Sequence, residues 1–391
     1  MIIKKNVVLY FICHRMIKLI ISLTLLILVC SCKNNTFYSP KKVHGKQTIV
    51  LHYTIKRDLL ILHSEVASKK GNFIFDTGAK SIVFSSFDSV LQQTNEKLEA
   101  INVTDINNNS QQTLIKKYPL TLGNVTLNKH IFCVINQPPF LSVNCSEKDS
   151  LHGFIGNDVL NQGVFSFSHT DSILTIYSKI KHVKDIKSYE KIPLIVNKSG
   201  YMYVQINGEY YLIDTGLSNS FINSNDSTLI SNTSSIDTIS TIVSGAFSDS
   251  VYAFVNQERS IAWGNENFAV RYFYSPSFSN GVGLNWLLKY DVIFDVKEKY
   301  MYVKNNNEFF NSTIKNQVIV RFYKGAMKIV KLHGNHRTLH IGDKVLEING
   351  VSTESIKSDC DWVDFKNINN LTNINRICID KNGEKVCVEI Q

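Results

Sequence analysis

Short runs of Ile, Val, Phe, Tyr and Thr dominate the chain, broken at close intervals by Asn, Ser, Gly and Asp, and long helical periodicity is scarce. This pattern predicts a mostly β protein. One run departs from it. Leu19 to Val29 is apolar apart from Ser22 and Thr24, follows Met16-Ile17-Lys18, and leads into Cys30-Ser31-Cys32-Lys33-Asn34-Asn35. It is shorter than a membrane-spanning helix requires. The next residues, 33 to 45, carry Asn, Ser, Pro and Lys and read as a tether.

From about residue 46 the strand pattern repeats itself. The first unit holds Phe73-Ile74-Phe75-Asp76-Thr77-Gly78-Ala79, then Ser81-Ile82-Val83-Phe84, then Gly153-Phe154-Ile155-Gly156, and closes on Leu174-Thr175-Ile176-Tyr177. The second holds Tyr211-Leu212-Ile213-Asp214-Thr215-Gly216-Leu217, then Ser220-Phe221-Ile222, then Gly281-Val282-Gly283, and closes on Tyr300-Met301-Tyr302-Val303. The order is the same in both. An apolar strand enters Asp-Thr-Gly, a second strand follows, and a Gly-containing turn precedes a short helix. A duplication of about 120–140 residues per copy is the economical explanation.

A single Asp-Thr-Gly is only a good turn sequence. Two copies in matching surroundings resemble the retropepsin and pepsin superfamily of aspartic proteases, over about residues 46–305. That resemblance implies two tandem retropepsin-like β-barrel lobes forming one pepsin-like bilobal unit. Asp76 and Asp214 would be the catalytic carboxylates. Thr77 and Thr215 would cross-brace the two loops, and Gly78 and Gly216 would allow close backbone approach. Two carboxylates about 3 Å apart cannot both ionise, so they share a proton and can activate a water against a peptide carbonyl. The chemistry needs no cofactor and no metal.

The position after each Gly departs from pepsin, where a hydroxyl residue commonly donates to the aspartate. Ala79 and Leu217 cannot donate, which should raise the pair's pKa values and move activity to milder pH. Leu217 is also bulkier than the resemblance leads one to expect. Covering hairpins, or flaps, are sought after each motif. Thr241 to Ser248, with Ser244, Gly245 and Ala246 at its tip, suits the second lobe, and Asp105 to Gln112 is the weaker counterpart in the first. Either can equally be a plain surface loop.

The third segment differs. Leu339-His340-Ile341-Gly342-Asp343-Lys344-Val345-Leu346-Glu347-Ile348-Asn349-Gly350 resembles the signature strand and turn of a PDZ domain, which implies a small β+α domain that binds peptide by strand addition. The stretch from Val330 to Thr338 is short for the small helix usual there. Near the end, Asn382-Gly383 is a strong two-residue hairpin turn. Counting outward from it places Cys378 opposite Cys387, within disulfide reach. A disulfide and two free cysteines in a strand pair both fit.

The leader, with Val29-Cys30-Ser31 before Cys32, resembles a bacterial lipoprotein signal. It implies lipidation at Cys32 and a start at Met16, the alternative being an uncleaved anchor. The net charge of +9 falls to about +5 without the leader's Lys4, Lys5, Arg15 and Lys18. The remaining basic residues form no stripe, which argues against nucleic acid as a partner. His152, His333, His336 and His340 lack Cys or Glu at ligand spacing and read as surface or core histidines.

The expected organisation is a signal over 1–31, a tether over 32–45, lobes over 46–185 and 186–308, and a PDZ-like domain over 315–391. The expected activity is that of an exported, lipid-anchored aspartic endopeptidase, monomeric in its catalytic unit, facing the periplasm or cell surface. Its partners would be a peptide or protein substrate and the membrane. The alternatives are a non-catalytic peptide-binding lipoprotein of the same fold, and lobes that pair between chains.

Overall fold

The computed structural model describes residues 48–56, 58–91, 99–138, 141, 150–217, 222–225, 227, 237–263, 266–305, 318–334, 336–369, 371 and 373–390. The leader with Cys32, the tether, Cys145, Ser220 and Phe221 lie outside the described residues. The chain is mostly β, as its pattern predicts. Among the described residues no helix is long and apolar enough to cross a membrane.

In the first half, β1 (Thr48–Lys56), β2 (Leu59–Val66) and β3 (Lys69–Asp76) form an antiparallel meander. Strand β4 (Ile82–Phe84) enters a one-turn helix, α1 (Ser85–Asp88). Then come β5 (Glu99–Thr104), β6 (Ser110–Leu122), β7 (Val125–Ile135), β8 (Leu151–Gly156), β9 (Val164–Ser168) and β10 (Ile173–Tyr177). Sequence dictates which of these sit inside. β1 alternates exposed and buried positions over most of its length, so one face meets water. Phe73, Ile74, Phe75 and Asp76 of β3 are all buried, as expected of a strand covered on both faces.

The second half runs through β11 (Glu190–Pro193), β12 (Ile195–Val196), β13 (Met202–Ile206), β14 (Glu209–Asp214) and β15 (Ile222–Ser224). It continues with β16 (Asp237–Ser244), β17 (Asp249–Trp263), β18 (Glu266–Tyr274), β19 (Gly281–Gly283), helix α2 (Leu284–Leu287), β20 (Tyr290–Asp295) and β21 (Tyr300–Asn305). Its pairings repeat those of the first half. β3 lies parallel to β8 with Asp76 opposite Gly156, and β14 lies parallel to β19 with Asp214 opposite Gly283. β4 pairs parallel with β7 and antiparallel with β8, while β15 pairs parallel with β18 and antiparallel with β19. The halves join where β9 meets β20, with Phe167 opposite Val292 and Phe165 opposite Phe294. One apolar cluster, including Phe75, Phe165, Ile213 and Trp286, runs through both.

The third segment contains β22 (Val318–Tyr323), β23 (Ala326–His333), β24 (Val345–Ile348), β25 (Val351–Ser352), α3 (Asp359–Ile368), β26 (Arg376–Lys381) and β27 (Glu384–Glu389). Ser358 caps α3 by accepting from Asp361 N. Val320, Ile329, Ile348, Trp362, Phe365 and Ile379 form a core of its own. Its hydrogen bonding follows a different division. β24 to β27 make a separate four-stranded sheet, whereas the β22–β23 hairpin extends the sheet of the second half through β16. No helix lies between β23 and β24 among the described residues. Asn382 and Gly383 take positive φ in a two-residue turn, which sets the register that bonds Cys378 to Cys387.

Candidate active site

Each Asp-Thr-Gly leaves the end of a strand that runs inward, fully buried over its last four residues in β3 and partly buried in β14, and whose parallel neighbour ends in glycine. The reason is local. A strand pushed between two others carries its terminal carboxylate into the interior, and a glycine opposite leaves the loop room to turn. Gly78 N donates to Asp76 Oδ1 at 2.8 Å, and Gly216 N donates to Asp214 Oδ1 at 2.8 Å. Behind the loops, Asn157 N donates to Ala79 O at 2.9 Å and Leu284 N to Leu217 O at 3.1 Å.

The two loops are tied by four reciprocal bonds. Thr77 Oγ1 donates to Ile213 O (2.8 Å) and accepts from Thr215 N (3.1 Å). Thr215 Oγ1 donates to Phe75 O (2.7 Å) and accepts from Thr77 N (3.0 Å). Each hydroxyl thereby satisfies a donor and an acceptor of the other half, and both threonines are buried. This lattice brings Asp76 and Asp214 into hydrogen-bonding contact. A Cβ added at Gly78 would overlap the Asp214 carboxyl, and one added at Gly216 would overlap that of Asp76. Each carboxyl sits over the opposite glycine.

Burial pushes both carboxyls above the ordinary carboxylate range, and the negative charge of Asp214 pushes Asp76 further. Backbone donors from Gly78 and Ala79, and from Gly216 and Leu217, work in the opposite direction without overcoming burial. The pair therefore holds one proton to higher pH than two separate carboxyls would.

Leu217 does not disturb this geometry. Its N–H donates to Asp214 Oδ1 at 3.2 Å, and its side chain turns toward Gly281, where an added Cβ would come 3.0 Å from Leu217 Cδ1. In the first half the equivalent pair is Ala79 and Phe154, because Phe154 and Gly281 both lie two residues before the glycine opposite the aspartate. The larger side chain has changed places across the strand pair.

A buried polar cluster behind Asp76 was not foreseen from sequence. Ser81 N and Oγ both donate to Asp158 Oδ1, at 2.9 and 3.0 Å. His130 Nε2 lies 2.9 Å from Ser81 Oγ and 3.0 Å from Asp158 Oδ2, and Gly156 N donates to Ser81 Oγ. Burial alone would raise Asp158, but contact with His130 brings it below its ordinary value. The spacing of Ser81 and Asp158 from the motif was legible. His130, about fifty residues from Ser81, carried no signal.

Ser244, Gly245 and Ala246 occupy the tip of the β16–β17 hairpin, and Asp105 begins the tip of β5–β6. These hairpins hold equivalent places in the two halves, and their tips touch: Asp105 Oδ2 accepts from Phe247 N (3.1 Å). The histidines are spread apart. His152 accepts from Asn72 N and packs on Phe87, with burial lowering its pKa. His333 is buried and its carbonyl bonds His336, while His340 is exposed beside Lys381. No group of three His, Cys, Asp or Glu among the described residues could hold a metal ion.

A scan against protein-family models and a search of curated proteins both return no match to this chain.

Proposed function

We propose that the chain is a membrane-tethered aspartic endopeptidase whose single site is shared by Asp76 and Asp214. The observation that carries this reading is the reciprocal Thr77–Thr215 lattice, which joins two Asp-Thr-Gly loops so that each carboxyl lies over the other loop's glycine. The paired halves support a bilobal, pepsin-like arrangement of retropepsin-like lobes, and the separate core of the third segment supports a PDZ-like domain.

In the proposed reaction the pair holds one proton. The ionised carboxyl takes a proton from a water between the two, and the protonated carboxyl donates to the scissile carbonyl as the water oxygen attacks. The tetrahedral intermediate then collapses with a proton passed to the leaving amine. No covalent enzyme intermediate forms. The PDZ-like domain would bind an extended peptide segment, and lipidation at Cys32 would hold the enzyme at the membrane, exported to the periplasm or cell surface.

The test is cleavage of a peptide library by the wild type, Asp76→Asn and Asp214→Asn, with and without a pepstatin-type inhibitor. Each single substitution is expected to cost at least about 10²–10⁴-fold in kcat. Turnover that survives either one sinks the shared site. A folded wild type that binds peptides but cleaves none at any pH would favour a binding lipoprotein.

A further inference from the structure

The two tip-touching hairpins occupy equivalent places but are mounted differently. β5 is the last strand of its sheet, bonded only to β6, and most of its positions are exposed. β16 is internal, with β17 on one side and β23 on the other. Ile239, Ser240 and Thr241 pair with His333, Leu332 and Lys331. Further bonds add to the ladder. Thr241 Oγ1 donates to Val330 O, Gly334 N donates to Thr238 O, and at the hairpin's far end Tyr323 OH donates to Asp249 Oδ2 at 2.6 Å, with Lys324 Nζ 3.3 Å from the same oxygen.

The junction between the tips centres on one carboxylate. Asp105 Oδ1 accepts from Asn107 N and Asn109 N of its own turn, and Oδ2 accepts from Phe247 N and Ser248 Oγ of the other. Asn107 and Asn109 donate further to Val243 O, Ser248 O and Ser248 Oγ. Gly245 is required here, because a Cβ would overlap Asp105. Ala246 and Phe247 pack against the first-half cluster of Ile74, Ile82 and Phe84, which flank the Asp76 loop. The hairpins thus bridge the halves beside the Asp76 loop.

We infer that the third segment is a fixed mount for the second hairpin, and that access to the dyad opens by release of the first hairpin at Asp105. The mount follows from strand pairing alone, whereas its role as a gate rests on reading Asp76 and Asp214 as the catalytic pair. The physical reason for the asymmetry is that an edge strand opens by breaking one ladder and an internal strand must break two.

Hydrogen exchange on the full-length chain tests the mount without any turnover. Amides of 101–104 are expected to exchange at least roughly tenfold faster than those of 239–243. Asp105→Ala should speed exchange across 101–112 and leave 239–243 protected. Leu332→Pro, which removes an N–H that faces β16 as Gly334 N does, should raise exchange at 239–243 by about tenfold or more, and the milder Thr241→Val/Asp249→Ala pair should raise it less. Equal exchange in the two wild-type hairpins, or no change at 239–243 in both mount variants, overturns the mount. The gate is read from association of a pepstatin-type inhibitor, expected about tenfold faster in Asp105→Ala. An unchanged association rate overturns the gate. Failure of the wild type to bind the inhibitor at all removes the catalytic reading, and the exchange data still decide the mount.

Discussion

The first half of the molecule surrounds its aspartate with charge, and the second surrounds its own with neutral groups and volume. Behind Asp76, the position two residues after the opposing glycine is Asp158, locked to Ser81 and His130 in the interior. Behind Asp214, the equivalent position is Asn285, buried and uncharged. Beside Asp76 stands the small Ala79 with bulky Phe154 in register. Beside Asp214 stands Leu217 with Gly281. The elements held in common are the strand, the threonine lattice and the glycines under the carboxyls. What the two halves share is the junction, where each supplies the other's hydrogen-bond partners. What differs is the packing one layer back, where total volume and satisfied polarity can be met in more than one way.

The largest expected effect tests the charged brace. Asp158→Ala would leave His130, Ser81 N and Ser81 Oγ without their buried acceptor, costing about 3–5 kcal/mol by chemical denaturation. Asn285→Ala is expected to cost only about 1–2 kcal/mol, as loss of a neutral polar group. Equal costs would erase the contrast between the halves.

The exchange of volume gives the next test. Gly281→Ala pushes a methyl against Leu217 and should cost about 1–3 kcal/mol. Adding Leu217→Ala should recover part of that loss, with a coupling of at least about 0.5 kcal/mol in a double-mutant cycle. Strict additivity would mean that Leu217 and Gly281 do not compensate each other.

The smallest effect is graded with pH. A carboxyl whose folded pKa is raised keeps its proton when the unfolded chain has already lost it. Its contribution is complete below the unfolded value and lost as pH rises through the folded value. Wild-type stability should therefore fall relative to Asp76→Asn from the ordinary carboxylate value upward, by up to about 1.4 kcal/mol per pH unit per proton, until the raised value is passed. Thermal melts of both proteins across that window check the sign. The same shift predicts cleavage at milder pH than that of pepsin-like enzymes, and a pH–rate profile peaking near pH 2–3 would contradict it.

Much of this was written in local sequence. Alternating apolar residues specified strands, the two Asp-Thr-Gly copies and their trailing glycines marked the loops, and Asn382-Gly383 set the register that pairs Cys378 with Cys387. Those features depend on neighbours a few residues away, so periodicity and turn chemistry expose them. Asp105 at the hairpin junction, His130 between Ser81 and Asp158, and the ladder between β16 and β23 depend on partners roughly 30 to 140 residues distant. Leu217 read as an obstacle because its compensating Gly281 is a neighbour only across the sheet. Sequence by itself determined the strands, the loops and the candidate carboxylates. Only the tertiary structure decided that the carboxylates meet, which groups brace them, and that one of the two tip-touching hairpins is anchored and the other is an edge. Contacts between distant segments are selected by packing and hydrogen-bond satisfaction over the whole fold, and no short window of sequence carries that information.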